Sequence, residues 1–249
     1  VAGEMTDNVE YAPMMRNGEF AVHTPHNLES WYRFNPMEAC WPFDKENSIM
    51  IRKNASYAIG ENFWLNYPVI ERMAGIPESL EQMISMGQYL AAEGIRYIID
   101  SFRWLGKNMG GFTNWCYNEP FPNAAGTCLV DYENRPMMTY YFTREALAPV
   151  SIALKYDSCF YSHTYDTYAA LRISSDAPER RENLRSQWKV RDNHGCLIRS
   201  GEGAVSIDPW ETKEVDSVLL NPPRARSAGP VIVELSLFEQ NGGRIAERT

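Results

Sequence analysis

The pattern of hydrophobic and polar positions falls into two regimes that meet near Pro149. Residues 1–13 are polar and irregular. From Met14 the chain reads as a short strand that delivers one carboxylate, Glu19, to its end. His23, Pro25 and His26 make a loop, and a helix is expected from the N-cap Asn27, with Leu28, Trp31, Tyr32 and Phe34 at helical spacing. Asn35-Pro36 ends it, and residues 36–62 read as a long loop with short helical turns. The clearest helix is expected over 77–105, with Pro77 at its first position and Leu80, Ile84, Ala91, Ile95, Ile98 and Phe102 on one stripe. Gly106 closes it. A strand over 112–117, an extended piece at 129–132 and a helix over 137–147 complete this regime, which alternates β and α as a parallel sheet or barrel does.

After Pro149 the period shortens to two. Alternating runs fall at 150–156, 168–173, 186–191, 196–199, 204–207, 214–219 and 231–238, divided by turn residues such as Asp192-Asn193-His194-Gly195 and Asn221-Pro222-Pro223. About seven strands in roughly 100 residues is the pattern of an immunoglobulin-like β-sandwich. Arg244-Ile245-Ala246 reads as the start of a last strand cut short at Thr249. The expected class is therefore α/β followed by all-β, with domains at 1–148 and 149–249.

Composition narrows the function classes. Of 249 residues, 44% are hydrophobic and 22% charged, as in a globular protein. The net charge is −8 and no Lys/Arg block stands out, which argues against a nucleic-acid partner. No apolar run reaches the length of a membrane span. The five cysteines, Cys40, Cys116, Cys128, Cys159 and Cys196, show no CxxC spacing, so no zinc site is expected, and no metal or cofactor is implied. The first residue is Val1, which suggests that the natural chain starts further upstream. Aromatic residues reach 12%, which suits sugar binding and a large core equally.

Three motifs carry a resemblance. Gly18-Glu19-Phe20-Ala21, with Pro25 and Leu28-Glu29, resembles the nucleophile segment on strand 7 of β-mannosidase-like enzymes in glycoside hydrolase family 2. The run from Gly111 through Trp115 and Asn118-Glu119-Pro120 to Pro122 resembles the strand-8 motif. Leu129-Val130-Asp131-Tyr132, Arg135-Pro136 and Ala148-Pro149-Val150 resemble the last barrel helix and its passage into the next domain. Gln88, Glu93 and Arg103 match the penultimate barrel helix. Gly18, Ala21, Glu119 and Phe121 depart from the usual Ser, Gly, Asp and Trp, which bears on the substrate more than on the chemistry.

The resemblance implies the C-terminal portion of a (β/α)8 TIM barrel over 1–148, followed by the sandwich. It implies a fragment of a retaining exo-β-glycosidase acting on terminal β-mannosides, or on β-glucosaminides or β-galactosides. Such enzymes use a carboxylate pair about 5 Å apart. Glu19 matches the nucleophile. No strand precedes it that could carry the acid/base glutamate, so the isolated chain is expected to be inactive and to need the remainder of the barrel as partner. Trp115 matches the sugar platform, against an ordinary core tryptophan. Asn118 and Glu119 match substrate-binding positions, against capping of a strand end. His23 and His26 flank the nucleophile strand, against histidines bonded to backbone. Arg52 and Asn54 lie on the long loop, where Asn54-Ala55-Ser56 is a glycosylation sequon. Arg135 is expected to pair with a barrel carboxylate. The reading from another class is a non-catalytic carbohydrate-binding or structural module.

Overall fold

The computed structural model describes residues 19–37, 40–42, 67–161, 164–221 and 229–249. Arg52, Asn54 and its sequon, most of the 36–62 loop, Pro222-Pro223 and the residues leading up to Glu19 lie outside them. The described residues form two units: 19–99 with Gly111–Arg144, and Asp100–Gly110 with Glu145–Thr249.

In the first unit, helix α1 spans Leu28–Phe34 and helix α2 spans Tyr67–Ala74. Helix α3 runs Leu80–Trp104 and contributes its residues up to Ile99 to this unit, and helix α4, Met138–Ala146, contributes its residues up to Arg144. The core gathers Trp31, Ile70, Leu80, Met83, Ile84, Ala124 and Ala125. Extended backbone is sparse. Strand β1 (Thr24–Pro25) pairs antiparallel with β2 (Ala125–Gly126), while Phe20 and Asn114 make an isolated parallel bridge, as do Asn118 and Val130.

The strand expected at 14–19 lies outside the described residues except for Glu19, and the one expected at 112–117 is reduced to an isolated bridge from Asn114 to Phe20. Prolines at 25, 120 and 122 and the two-residue pairings leave little continuous ladder. Helix α3 starts at Leu80, not Pro77. Ser79 Oγ accepts from Gln82 N–H at 3.1 Å, and Gln82 Oε1 accepts from Glu78 N–H at 2.6 Å, so the cap falls at Ser79. Asn27 holds the N-cap position with extended backbone, but its side chain makes no capping bond. Helix α2 was not anticipated.

In the second unit, seven strands form two antiparallel sheets. One orders Val150–Lys155 (β3), Tyr168–Ser175 (β4) and Thr212–Leu219 (β7) as β3-β4-β7. The other orders Leu197–Ile207 (β6), Arg181–Arg191 (β5), Ile232–Phe238 (β8) and Arg244–Arg248 (β9) as β6-β5-β8-β9. Inward residues of both sheets share one core: Ile152, Leu171 and Ile173 from the first, Leu184, Trp188, Val190, Ile207 and Leu237 from the second. Burial along β5 alternates from Leu184 through Ser186, Trp188 and Val190, as a sheet with one covered face requires. The runs expected at 196–199 and 204–207 are one continuous strand. The run at 244–246 extends into a paired strand, β9.

Candidate functional site

The site is assembled by backbone before any side chain acts. Phe20 N–H donates to Thr113 O at 3.0 Å, and Trp115 N–H donates to Phe20 O at 2.8 Å. Glu19 therefore sits one residue from a segment bonded on both sides of Asn114. The rings of Phe20 and Phe112 meet edge to face at 5.9 Å. Glu19 is exposed, and so is Trp115, at 52%. A half-open indole offers an apolar face to sugar C–H groups and an N–H to a hydroxyl. Tyr117, at 61%, and Asn118 are exposed as well.

The same unit holds a buried polar layer. Asp131 is fully buried and its carboxylate is saturated. Oδ2 accepts from Asn27 Nδ2 and Ser30 Oγ, both at 2.8 Å, and Oδ1 accepts from the backbone N–H groups of Glu133 and Arg135 at 2.9 and 3.0 Å. That explains why Asn27 does not cap α1: its amide is spent on Asp131, and its Oδ1 accepts from Gln88 Nε2 at 3.1 Å. Gln88 also donates to Pro25 O at 3.2 Å and accepts from Met138 N–H at 3.2 Å, so α3 orients the loop through one amide. Arg135 donates to Ser30 Oγ at 3.0 Å and reaches the Asp131 carboxylate through that hydroxyl and its own backbone N–H, instead of by the expected ion pair.

His26 is fully buried. Its Nδ1–H donates to Asn123 O at 2.8 Å, which leaves the Nε2 lone pair facing Glu119 Oε2 at 3.6 Å. Burial pushes the imidazole pKa down to about 4, and that of the half-buried His23 to about 4 as well. Both are neutral at pH 7. Glu119 is turned inward, only 6% exposed, and burial raises its carboxyl pKa. Its Oε2 also lies 3.4 Å from Cys128 Sγ. Gly126 makes this arrangement sterically feasible: a Cβ there would meet Glu119 Oε2 at 2.6 Å and His26 Nε2 at 3.2 Å.

The chain has the fold of part of a β-mannosidase. It superposes on the β-D-mannosidase of Dictyoglomus thermophilum with a TM-score of 0.76 over 99% of its length, at 15% identity. It superposes on the exo-chitosanase of Amycolatopsis orientalis with a TM-score of 0.72 over 92%, at 16% identity. It covers 28% and 26% of those two chains, so it spans about a quarter of their length. At these identities the likeness is one of fold. No family model and no curated protein matches the chain.

Of the residues singled out from sequence, the structure brings Glu19 and Trp115 into neighbouring segments. It sets Asn118 at the surface and buries Glu119 against His26. His23 is half-buried. Among the described residues no group of three His, Cys, Asp or Glu side chains is arranged to hold a metal ion. Sequence reasoning missed Ser30, Asn123, Cys128 and Gly126 in this layer. Cys128 carries no spacing signal, and Gly126 matters only through what approaches it.

Proposed function

We propose that this chain is the nucleophile-bearing segment of a longer retaining exo-β-glycosidase that removes terminal β-linked sugars, with β-mannosides the preferred class. The observation that carries the proposal is the backbone bonding of Phe20 to both Thr113 and Trp115, which pairs the segment carrying exposed Glu19 with the segment carrying exposed Trp115 in a chain folded like part of a β-mannosidase. In this reading the first unit contributes closing segments of a (β/α)8 barrel, and the second is an immunoglobulin-like domain, with the boundary at residues 148–149. The parallel bridges at Phe20–Asn114 and Asn118–Val130 support the barrel reading.

Each residue then has a defined part. Glu19 attacks the anomeric carbon and forms the covalent glycosyl intermediate, while an acid/base carboxylate supplied from outside this chain protonates the departing oxygen and later activates water. Trp115 stacks on the sugar. Asn118 and His23 hydrogen-bond hydroxyls, the latter as a neutral imidazole. Glu119 acts from below the surface.

The test uses aryl β-mannosides, β-glucosaminides and β-galactosides. The chain alone is expected to show no turnover. In a polypeptide that also supplies the acid/base, Glu19→Gln is expected to lower kcat by a factor on the order of 10³ or more. Unchanged turnover in that variant overturns the assignment of Glu19. A second reading, a non-catalytic carbohydrate-binding module, is favoured by the exposure of Trp115 and Tyr117. It predicts glycan-dependent quenching of tryptophan fluorescence that survives Glu19→Gln and disappears in Trp115→Ala.

A further inference from the structure

Of the five cysteines, only two are brought together among the described residues. Cys116 Sγ and Cys128 Sγ lie 3.0 Å apart, joined as thiols and not as a disulfide. Their proximity is fixed by main chain. Leu129 N–H donates to Tyr117 O at 3.0 Å and, more weakly, to Cys116 O at 3.3 Å, and Val130 N–H donates to Tyr117 O at 2.9 Å. The two segments run side by side, and the thiols project into the same space. A disulfide requires an S–S separation of about 2.0 Å, so the sulfurs need to close by roughly 1 Å.

The two thiols are not equivalent. Cys128 is 2% exposed and Cys116 is half-buried, so a reagent reaches Cys116 first. Cys128 Sγ also donates to Glu119 Oε2 at 3.4 Å. We propose that Cys116 and Cys128 form a reversible thiol–disulfide site in which Cys116 is the entry thiol, Cys128 the resolving thiol and Glu119 the acceptor of the resolving proton.

The oxidant is a small-molecule disulfide. The Cys116 thiolate attacks one sulfur of that reagent, forms a mixed disulfide and releases one small thiolate, which takes up the proton that Cys116 lost. Cys128 then attacks Cys116 Sγ, passes its proton to Glu119 and expels the second small thiolate, which is protonated in turn. Two protein thiols are oxidised and one small disulfide is reduced to two thiols. Burial pushes the Cys128 thiol pKa well up, so this step needs the base beside it. The product ties the residue that follows Trp115 to the segment beside it and removes the sulfur donor from Glu119. Formation of the bond does not depend on whether the chain binds a sugar.

The folded chain is incubated with oxidised glutathione at pH 8, quenched by alkylation and mapped by mass spectrometry. The expected result is a cross-linked peptide pair joining Cys116 to Cys128, with three of the five thiols still alkylated and dithiothreitol restoring all five. In Cys128→Ser the expected product is a glutathione adduct on Cys116 and no cross-link. In Glu119→Gln the adduct forms at the same rate, and its conversion to the cross-link slows about tenfold or more. Two results overturn the proposal: Cys116 and Cys128 both remaining alkylatable while exposed Cys159 and Cys196 react, or a cross-link between any other pair. Conversion at an unchanged rate in Glu119→Gln overturns the role of Glu119.

Discussion

His26 shows how one buried side chain sets the pH response of its surroundings. The imidazole is held neutral because burial opposes the charged form and outweighs the hydrogen bond to Asn123 O and the nearby Asp131 charge, both of which favour it. An unfolded histidine takes up a proton below about pH 6.5; the folded one does so only below about 4. Between those values the unfolded state binds the extra proton, so stability is full above pH 6.5 and declines as pH falls toward 4. The loss attributable to His26 is on the order of 3 kcal/mol over that window, and His23 acts in the same direction. Glu119 opposes them: burial raises its carboxyl pKa, so the folded state binds that proton before the unfolded one as pH falls. Urea midpoints measured from pH 7 to pH 4.5 are expected to fall, and His26→Gln is expected to flatten that fall while lowering the midpoint at pH 7. A parallel slope in the variant would place the proton elsewhere. The burial behind this pH response was not legible in the sequence. A histidine directly after Pro25 carries no mark of being fully buried, and its alternative reading, a histidine bonded to backbone, is the one that describes Nδ1.

At the scale of elements, the alternating strands were legible because one covered face imposes a period of two, and the helices α1, α3 and α4 because their apolar residues recur at three and four. What failed has local causes. Strand β6 was read as two runs because Gly201 and Gly203 interrupt its hydrophobic alternation, as glycines do in turns. Here Gly201 serves the opposite strand. It pairs with Trp188, and a Cβ at 201 would meet the indole at 2.5 Å. The ring cannot withdraw, since it is buried in the sandwich core and its Nε1–H donates to Asp216 Oδ2 at 2.6 Å. Gly201→Ala is therefore expected to destabilise the chain by about 1–3 kcal/mol through overpacking. The check is equilibrium urea unfolding followed by tryptophan fluorescence. A neutral result would mean that the indole rotates freely, and Asp216→Ala would then also be neutral. Helix α2 escaped notice for a different reason: its eight residues bury only Ile70, too short a stripe to show a period.

At the scale of the whole molecule, each unit has its own core, and the second is bound by a contact no sequence pattern foreshadows. Asp100 and Arg248 lie 148 positions apart and are each about 5% exposed. Arg248 Nη2 donates to Asp100 Oδ1 at 3.0 Å, and Nη1 donates to Oδ2, a two-pronged pair. It joins the end of helix α3 to strand β9. Close by, Arg103 donates to Ala146 O and to Ser151 Oγ at 2.9 Å and pairs with Asp176 at 3.0 Å, while its carbonyl accepts from Thr212 Oγ1 at 3.0 Å. From sequence, Asp100 and Arg248 were two charges among many, because only the fold brings them together. A buried pair of this kind adds little net stability over apolar replacements, yet removing one partner leaves an uncompensated charge. Arg248→Met is thus expected to cost about 3–5 kcal/mol, and Asp100→Leu a similar amount. The double variant Asp100→Leu/Arg248→Met is expected to recover most of that loss, because no charge is then buried alone. Denaturation of the four proteins under one set of conditions gives the coupling directly. Additive losses in the double variant would show that each side chain acts through its packing and not through the other's charge.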